Sequence, residues 1–213
     1  VMMDGTICRI GGKTLDQEGY DLMGLICGSE GLLGVITEVT AKILKKPQVV
    51  KAALIGFPTI EEGANATSEI ISNGIIPAGM EIMDKALIEA TDNFSKAGYP
   101  RDAELLLIVE VDGTESEVDI LLKDVSSICK KNNCSSLKLS QSEKERLSFW
   151  SGRKSAFPAC GAMAPDYYCM DGVIPRGKLA EALLEIRRLS EKYNLPVANC
   201  FHAGDGNLHP LIM

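Results

Sequence analysis

The chain contains two histidines, His202 and His209, and both fall in the segment His202-Ala203-Gly204-Asp205-Gly206-Asn207-Leu208-His209. Imidazole nitrogens bind borderline divalent metals and carry protons near neutral pH. Glycine, aspartate and asparagine between them are turn formers. If Gly204 to Asn207 make a four-residue turn, Ala203 pairs with Leu208 and His202 with His209. Opposed residues of a hairpin share a face, with Cβ atoms roughly 4.5–5.5 Å apart, so the two rings are within reach of one divalent ion. The same spacing also fits a surface hairpin with incidental histidines, or one hydrogen-bonded pair. Two ligands do not complete a metal site, and no third candidate follows His209 in the chain.

Three further segments carry chemistry-bearing residues. Gly28-Ser29-Glu30-Gly31-Leu32-Leu33-Gly34 sets three glycines three apart. Glycines let backbone N–H groups form an anion-binding nest close to a ligand, and Glu30 is placed to accept from ribose hydroxyls. The order is loop then strand, which excludes a Rossmann fingerprint or a P-loop and leaves a tight corner as the alternative. In Phe149-Trp150-Ser151-Gly152-Arg153-Lys154, an arginine beside a tryptophan suits fork-to-fork capture of a carboxylate; a core tryptophan and a solvated arginine explain the pattern as well. Pro165-Asp166-Tyr167-Tyr168-Cys169-Met170-Asp171 gathers acids, tyrosines and a thiol that fit either a site lining or a half-buried strand. No Ser/His/Asp order suggests a nucleophilic triad.

These segments need a scaffold, and the chain has the means to build one. Its 213 residues are 46% hydrophobic and 24% charged, a globular composition that excludes a disordered chain. A net charge of −7 and a pI near 5.0 argue against a nucleic-acid backbone binder. The longest aliphatic run, Leu105 to Val109, is far short of the roughly 20 residues that span a bilayer. Seven cysteines, an odd number with no CxxC, read as reduced thiols of a cytoplasmic protein. Asp4 and Arg9 interrupt any signal-peptide core. The opening at Val1 and the apolar end at Pro210-Leu211-Ile212-Met213 read as cuts through structure, so a fragment is expected.

The elements follow from pattern. Val1 to Ile10 reads as a hairpin turning at Asp4-Gly5. Val35 to Leu44 alternates and reads as a strand, closed by Lys45-Lys46-Pro47, where a domain boundary is placed. Val49 to Phe57, a short segment near Met80 and Glu104 to Val111 read as strands. Thr59, Asp84, Thr114 and Ser142 read as starts of helices, three of them in S/T-x-x-E boxes. The helix after Thr114 should bury Val118, Leu121, Leu122, Val125, Ile128 and Cys129. A last helix over Arg176 to Tyr193, with Leu179, Leu183, Ile186 and Leu189 inward, precedes strands from Pro196 and Leu208. The alternation predicts a sheet covered by helices, α/β or α+β.

In their order, the motifs resemble flavoproteins of the vanillyl-alcohol-oxidase type, and among them the FAD-dependent 2-hydroxy-acid dehydrogenases that include glycolate oxidase and the D-lactate and D-2-hydroxyglutarate dehydrogenases. The resemblance is carried by Gly19-Tyr20-Asp21-Leu22, the Gly28 to Glu38 segment, Trp150 to Lys154, Pro165 to Gly172, and His202 to His209. It implies an α+β fold: residues 1–46 as the end of a two-lobed FAD-binding domain, and 47–213 as most of a cap domain whose antiparallel sheet has ferredoxin-like elements. It implies that Gly28, Glu30, Gly31, Gly34, Val35 and Ile36 lie along the FAD, with Asn207 near the isoalloxazine edge. By the same resemblance His202 and His209 bind a divalent ion, zinc or manganese, and Arg153 holds the substrate carboxylate, making Arg153, His202 and His209 the catalytic set.

The implied reaction is oxidation of a 2-hydroxy acid to the 2-keto acid by hydride transfer to flavin. The implied partners are the hydroxy acid, an electron-acceptor protein or quinone, and a homo-oligomer or oxidase complex that would make any membrane association peripheral. A Glu-His pair beyond residue 213 would supply the third metal ligand and the base. Leu32 stands where such proteins often have threonine, and Ala162 where arginine is common. An accessory subunit without turnover, a metal-dependent hydrolase on His202, Asp205 and His209, and non-redox flavin chemistry are the alternatives.

Overall fold

The computed structural model describes residues 1–14 and 19–213, and the chain divides between Lys46 and Pro47 into two units. In the first unit the described residues carry one helix, α1 (Leu22–Gly28), started by the Asp21 carboxylate, which accepts from the Gly24 N–H. The hairpin expected over Val1 to Ile10 is only a tight turn, in which Met2 N–H donates to Thr6 O and Gly5 N–H to Met2 O. The strand expected over Val35 to Leu44 does not form. Val35 exchanges backbone bonds with Val1 beside a single bridge of Met2 to Gly34, and the ladder stops there. A strand draws its hydrogen bonds from a neighbour. Among the described residues, Val1 and Met2 are the only backbone neighbours this segment meets, so alternation alone leaves it without a ladder.

The second unit opens with β1 (Val49–Phe57), α2 (Ile60–Ser72), β2 (Gly79–Asp84), α3 (Lys85–Ser95), β3 (Leu105–Gly113), α4 (Glu115–Lys131) and β4 (Ser136–Leu139). These strands lie in the order β4-β1-β3-β2, every neighbour antiparallel. That is the βαββαβ arrangement of a ferredoxin-like unit, with α3 inserted between β2 and β3. Next come α5 (Glu143–Lys154), the five-residue α6 (Ala156–Cys160), the two-residue strands β5 (Tyr168–Cys169) and β6 (Gly172–Val173), and α7 (Leu179–Tyr193). The hairpin of β7 (Val197–His202) and β8 (Asn207–Ile212) then extends the sheet, β7 against β2, and β8 against β7, β5 and β6.

Helices cover both faces. Ala53, Ile55, Phe57, Met80, Ile82, Leu105, Leu107 and Val109 point to one core with α2, α4 and α7. Ala52, Leu54, Met83, Leu106, Ile108, Cys200 and Leu211 point to the other, with α3, α5 and α6. A strand covered on both sides has no solvent face to keep polar, so the run Leu105 to Val109 is apolar at every position and fully buried.

The helix starts are those the sequence announces. Thr59, Asp84 and Ser142 each accept from the backbone N–H three residues on, and Thr114 and Glu117 form a reciprocal capping box. The expected face of α4 is buried except for Leu121, which is half-buried. The last helix begins at Leu179, because Arg176–Lys178 form only a 3-10 turn. Leu179 and Leu183 are buried and Ile186 half-buried, while Leu189 is exposed, so the inward stripe fades toward the end of α7. The four-residue β4 and the short α6 are too brief to show a period, and the sequence reading does not contain them.

Candidate active site

The site is organised by a residue the sequence reading passes over. Alternation along β2 sends Met80 and Ile82 into the core under α2 and turns Glu81 and Met83 to the opposite face. There Glu81 stands opposite His202 of β7, and Met83 opposite Cys200. The Glu81 side chain is 13% exposed, and each of its oxygens has a partner. Oε1 lies 2.7 Å from His202 Nδ1, and Oε2 accepts from Arg153 Nε at 2.9 Å. A buried carboxylate without partners is strongly unfavourable; one imidazole and one guanidinium compensate this one.

Arg153 comes from the last turn of α5, and its side chain is 11% exposed. The helix is fixed at that point by Tyr99, whose buried hydroxyl donates to Phe149 O and accepts from the Arg153 N–H at 2.9 Å. Gly152 makes room for this contact: a Cβ there would collide with the Tyr99 ring. Gly152→Ala is therefore expected to lose about 1–3 kcal/mol of stability, the range for overpacking a filled core. Urea unfolding measures it, and an unchanged midpoint would contradict the packing argument. Trp150 is half-buried, with its Nε1 donating to Glu110 Oε2 at 2.6 Å, an atom also bound by Arg146 at 2.8 Å. Phe149, not Trp150, is the fully buried aromatic of α5.

The histidine hairpin folds in a register different from the expected one. The N–H groups of Asp205 and Gly206 both return to His202 O, and Gly206 takes a positive φ of 81°. A side chain at Gly206 would also strike the Ile174 carbonyl oxygen. The turn is thus Ala203 to Gly206, one residue earlier, and it sets His202 opposite Asn207 and Cys200 opposite His209. The shift preserves the face. His202 and His209 become diagonal neighbours, their ring centroids 5.0 Å apart and their planes at 88°. Asn207 shares that face, and its Nδ2 donates to Asp171 Oδ1 at 2.8 Å. The same Asp171 oxygen lies 3.7 Å from His209 Nδ1. Asn207 Oδ1 is buried with no hydrogen-bond partner.

Arg153, His202, His209 and Asn207 therefore gather on one face, with Glu81 joining Arg153 to His202 and Asp171 bonded to Asn207 and near His209. Glu81 had one signal, an acid inside the apolar strand Met80-Glu81-Ile82-Met83. Asp171 lies in a segment singled out only as an assortment of polar residues. His202 turns Nδ1 to Glu81 at hydrogen-bond distance and leaves Nε2 for another partner, the arrangement that orients metal-bound histidines, whereas His209 Nδ1 stands 3.7 Å from Asp171, beyond a hydrogen bond. Among the described residues no group of three His, Cys, Asp or Glu side chains is set to hold a metal.

Burial pushes the thiols of Cys160 and Cys200 up to about 12 and about 11, so neither is a thiolate nucleophile at neutral pH. A cleft of about 400 Å³ adjoins Glu81 and His202 and is lined also by Arg176, Gly204 and Asp205. A larger groove of about 750 Å³ lies between α4 and the β4 edge, but its Lys51 is paired with Asp119 and it contains no imidazole. The smaller cleft touches Glu81 and His202 but not Arg153, His209 or Asn207, so neither cavity encloses the cluster.

The remaining candidate residues lie in the first unit. Gly28 ends α1, and Glu30 and Gly31 turn the chain with φ of 51° and 84°. A Cβ at Gly28 or Gly31 would meet nothing within 4 Å, leaving an open stretch of bare backbone. Gly34 is buried instead, where a Cβ would stand 2.8 Å from Val1 O, and Val35 and Ile36 are exposed.

Residues 46–213 match the model of the family described as FAD linked oxidases, C-terminal domain. The chain is 51% identical over 211 residues to the glycolate oxidase subunit GlcD of Escherichia coli strain K12, covering 99% of this chain and 42% of that protein. It is 36% identical to the GlcD subunit of Bacillus subtilis, covering 99% and 45% of the two chains. It is 35% identical to the mitochondrial D-lactate dehydrogenase [cytochrome] of Arabidopsis thaliana, covering 92% and 34%. The chain thus spans less than half the length of these relatives. Among solved structures, an alkyldihydroxyacetonephosphate synthase superposes with a TM-score of 0.66 at 19% identity, over 92% of this chain and 42% of that one. The 4-ethylphenol oxidase of Gulosibacter chungangensis superposes with a TM-score of 0.66 at 13% identity, over 94% and 45%. At these identities the likeness is one of fold.

Proposed function

The chain belongs to the FAD-linked oxidase family, and from that premise we propose that the protein is an FAD-dependent oxidoreductase converting a 2-hydroxy acid of the glycolate or D-lactate type to its 2-keto acid. The observation that carries the reading is the meeting of Arg153 and His202 on one half-buried carboxylate, Glu81, with the His209 ring against that of His202. A guanidinium beside two imidazoles suits an α-hydroxy carboxylate, whose carboxylate takes the fork of Arg153 while its hydroxyl faces the imidazole pair.

FAD, when bound, supplies the hydride acceptor. The open glycine backbone at Gly28 and Gly31 fits close approach of such a group, and Glu30, Gly34, Val35 and Ile36 complete the segment assigned to it. Asn207, with its unpartnered buried Oδ1, is assigned to the flavin edge. The two imidazoles fit a borderline divalent ion such as zinc or manganese, which would lower the hydroxyl pKa of the substrate. Arg153 binds and orients the acid, and His202 and His209 are the residues that would hold such an ion, so the protein's own contribution is positioning and charge neutralisation.

A subunit role within an oxidase complex, with an electron-acceptor protein or quinone to reoxidise the flavin, fits the subunit names of the GlcD relatives. Seven unpaired thiols support a reducing, cytoplasmic setting, and among the described residues no helix is long and apolar enough to cross a membrane. The test is anaerobic: glycolate or D-lactate added to the full-length flavoprotein should bleach the oxidised flavin absorbance and yield one keto acid per flavin. A flavin that stays oxidised with both acids overturns the activity and leaves an accessory role.

A further inference from the structure

We infer that Glu81 is a positioning residue that fixes the guanidinium of Arg153 and the imidazole of His202 in one geometry, coupling the carboxylate-binding group to the metal-binding group. The inference rests on the reading just given for Arg153, His202 and His209.

A carboxylate only accepts hydrogen bonds. With Oε1 at 2.7 Å from His202 Nδ1, that nitrogen carries the proton, and the lone pair falls on Nε2. The tautomer of His202 is therefore set by Glu81 in the sense that readies Nε2 for a cation. The other oxygen takes Arg153 at Nε, 2.9 Å away. Among the described residues, no hydrogen bond or ion pair occupies Nη1 or Nη2 of Arg153, so the edge of the fork stays available to a ligand carboxylate. Glu81 itself sits on β2, a strand paired on both sides, by β3 and by β7. Its backbone is held by the sheet, and its side chain is mostly out of water. Both oxygens are engaged, so a rotation that improves one contact degrades the other. A displacement of Arg153 is felt at His202 through this one side chain.

The experiment replaces Glu81 with glutamine in the full-length protein. An amide has one acceptor and one NH2 group, so in either orientation a donor faces Arg153 Nε or His202 Nδ1. Zinc affinity of the metal-free protein is measured by chelator competition. The His202 tautomer is read from ¹⁵N-imidazole shifts, its signals identified by their loss in His202→Ala. Glu81→Gln should weaken zinc binding about 10- to 100-fold, the range for carboxylates behind metal-bound histidines. It should also move His202 away from the Nδ1–H tautomer where the NH2 turns to His202, or raise the KM for the hydroxy acid where it turns to Arg153.

Unchanged zinc affinity, an unchanged His202 spectrum and an unchanged KM together would falsify the role of Glu81, while zinc loss in His202→Ala would leave the reading of the site intact. Zinc retained in His202→Ala overturns that reading and the inference with it. If Glu81→Gln does not fold, Glu81→Asp is read in the same way, because it keeps the charge but falls one methylene short of both partners.

Discussion

Arg153→Ala in the full-length protein is expected to lower kcat/KM for the 2-hydroxy acid by about two to three orders of magnitude while FAD content stays at wild-type level. Truncating one member of a buried, hydrogen-bonded charge pair costs about 2–5 kcal/mol, and each 1.4 kcal/mol is roughly tenfold. Arg153 meets that description, with its side chain 11% exposed and Nε on Glu81. Two effects are mixed in the alanine variant, because it removes the carboxylate's fork and also leaves Glu81 without its cation. Arg153→Lys separates them. Lysine restores a positive charge near Glu81 but presents a point charge rather than a planar fork, so it should recover stability more fully than turnover. Wild-type kcat/KM in Arg153→Ala removes the guanidinium from substrate binding and with it the reason to place an acid there.

How much of this was legible in the residues depends on whether the signal was local. Helix starts at Thr59, Asp84, Thr114 and Ser142 could be read because a cap is made by residues three apart in sequence. The covered sheet could be read because Leu105 to Val109 has no polar face. Alternation over Val35 to Leu44 predicts a strand that does not form, because alternation states which faces exist but not whether a neighbour supplies the ladder. The hairpin turn lies one position earlier than the spacing predicts. Glycines at both 204 and 206 allow either turn, and the choice of Gly206 for positive φ depends on Ile174, 32 positions earlier in the chain.

Arg153, His202 and His209 stood out as residue types in unusual company, whereas Glu81 did not. An isolated glutamate in a strand signals little until the fold sets β2 beside β7 and brings Arg153 of α5 within reach of both. Its partners lie 72 and 121 positions away. Long-range compensation of this kind leaves no pattern along the sequence. The glycine segment around Gly28 is the converse case, conspicuous in sequence and meeting no side chain of its own unit at Gly28 or Gly31.

The second large effect is expected at the imidazoles. His202→Ala combined with His209→Ala should strip a stoichiometric divalent metal from the full-length protein, measured by elemental analysis against flavin content. Each single variant should weaken binding by more than the roughly 10- to 100-fold that follows loss of a supporting carboxylate, since a ligand is lost outright. The alternative role for the pair is structural: rings in edge contact at 5.0 Å contribute about 0.5–1.5 kcal/mol to a fold. The two roles predict different asymmetries. His209 is 17% exposed and His202 47% exposed, so a packing role makes His209→Ala the more damaging change to stability and leaves metal content untouched. A metal role makes both single variants lose the ion, whatever their effect on unfolding. Metal retained at wild-type stoichiometry in the double variant would reduce the pair to a hairpin contact, leaving Arg153 and the flavin to account for the reaction without it.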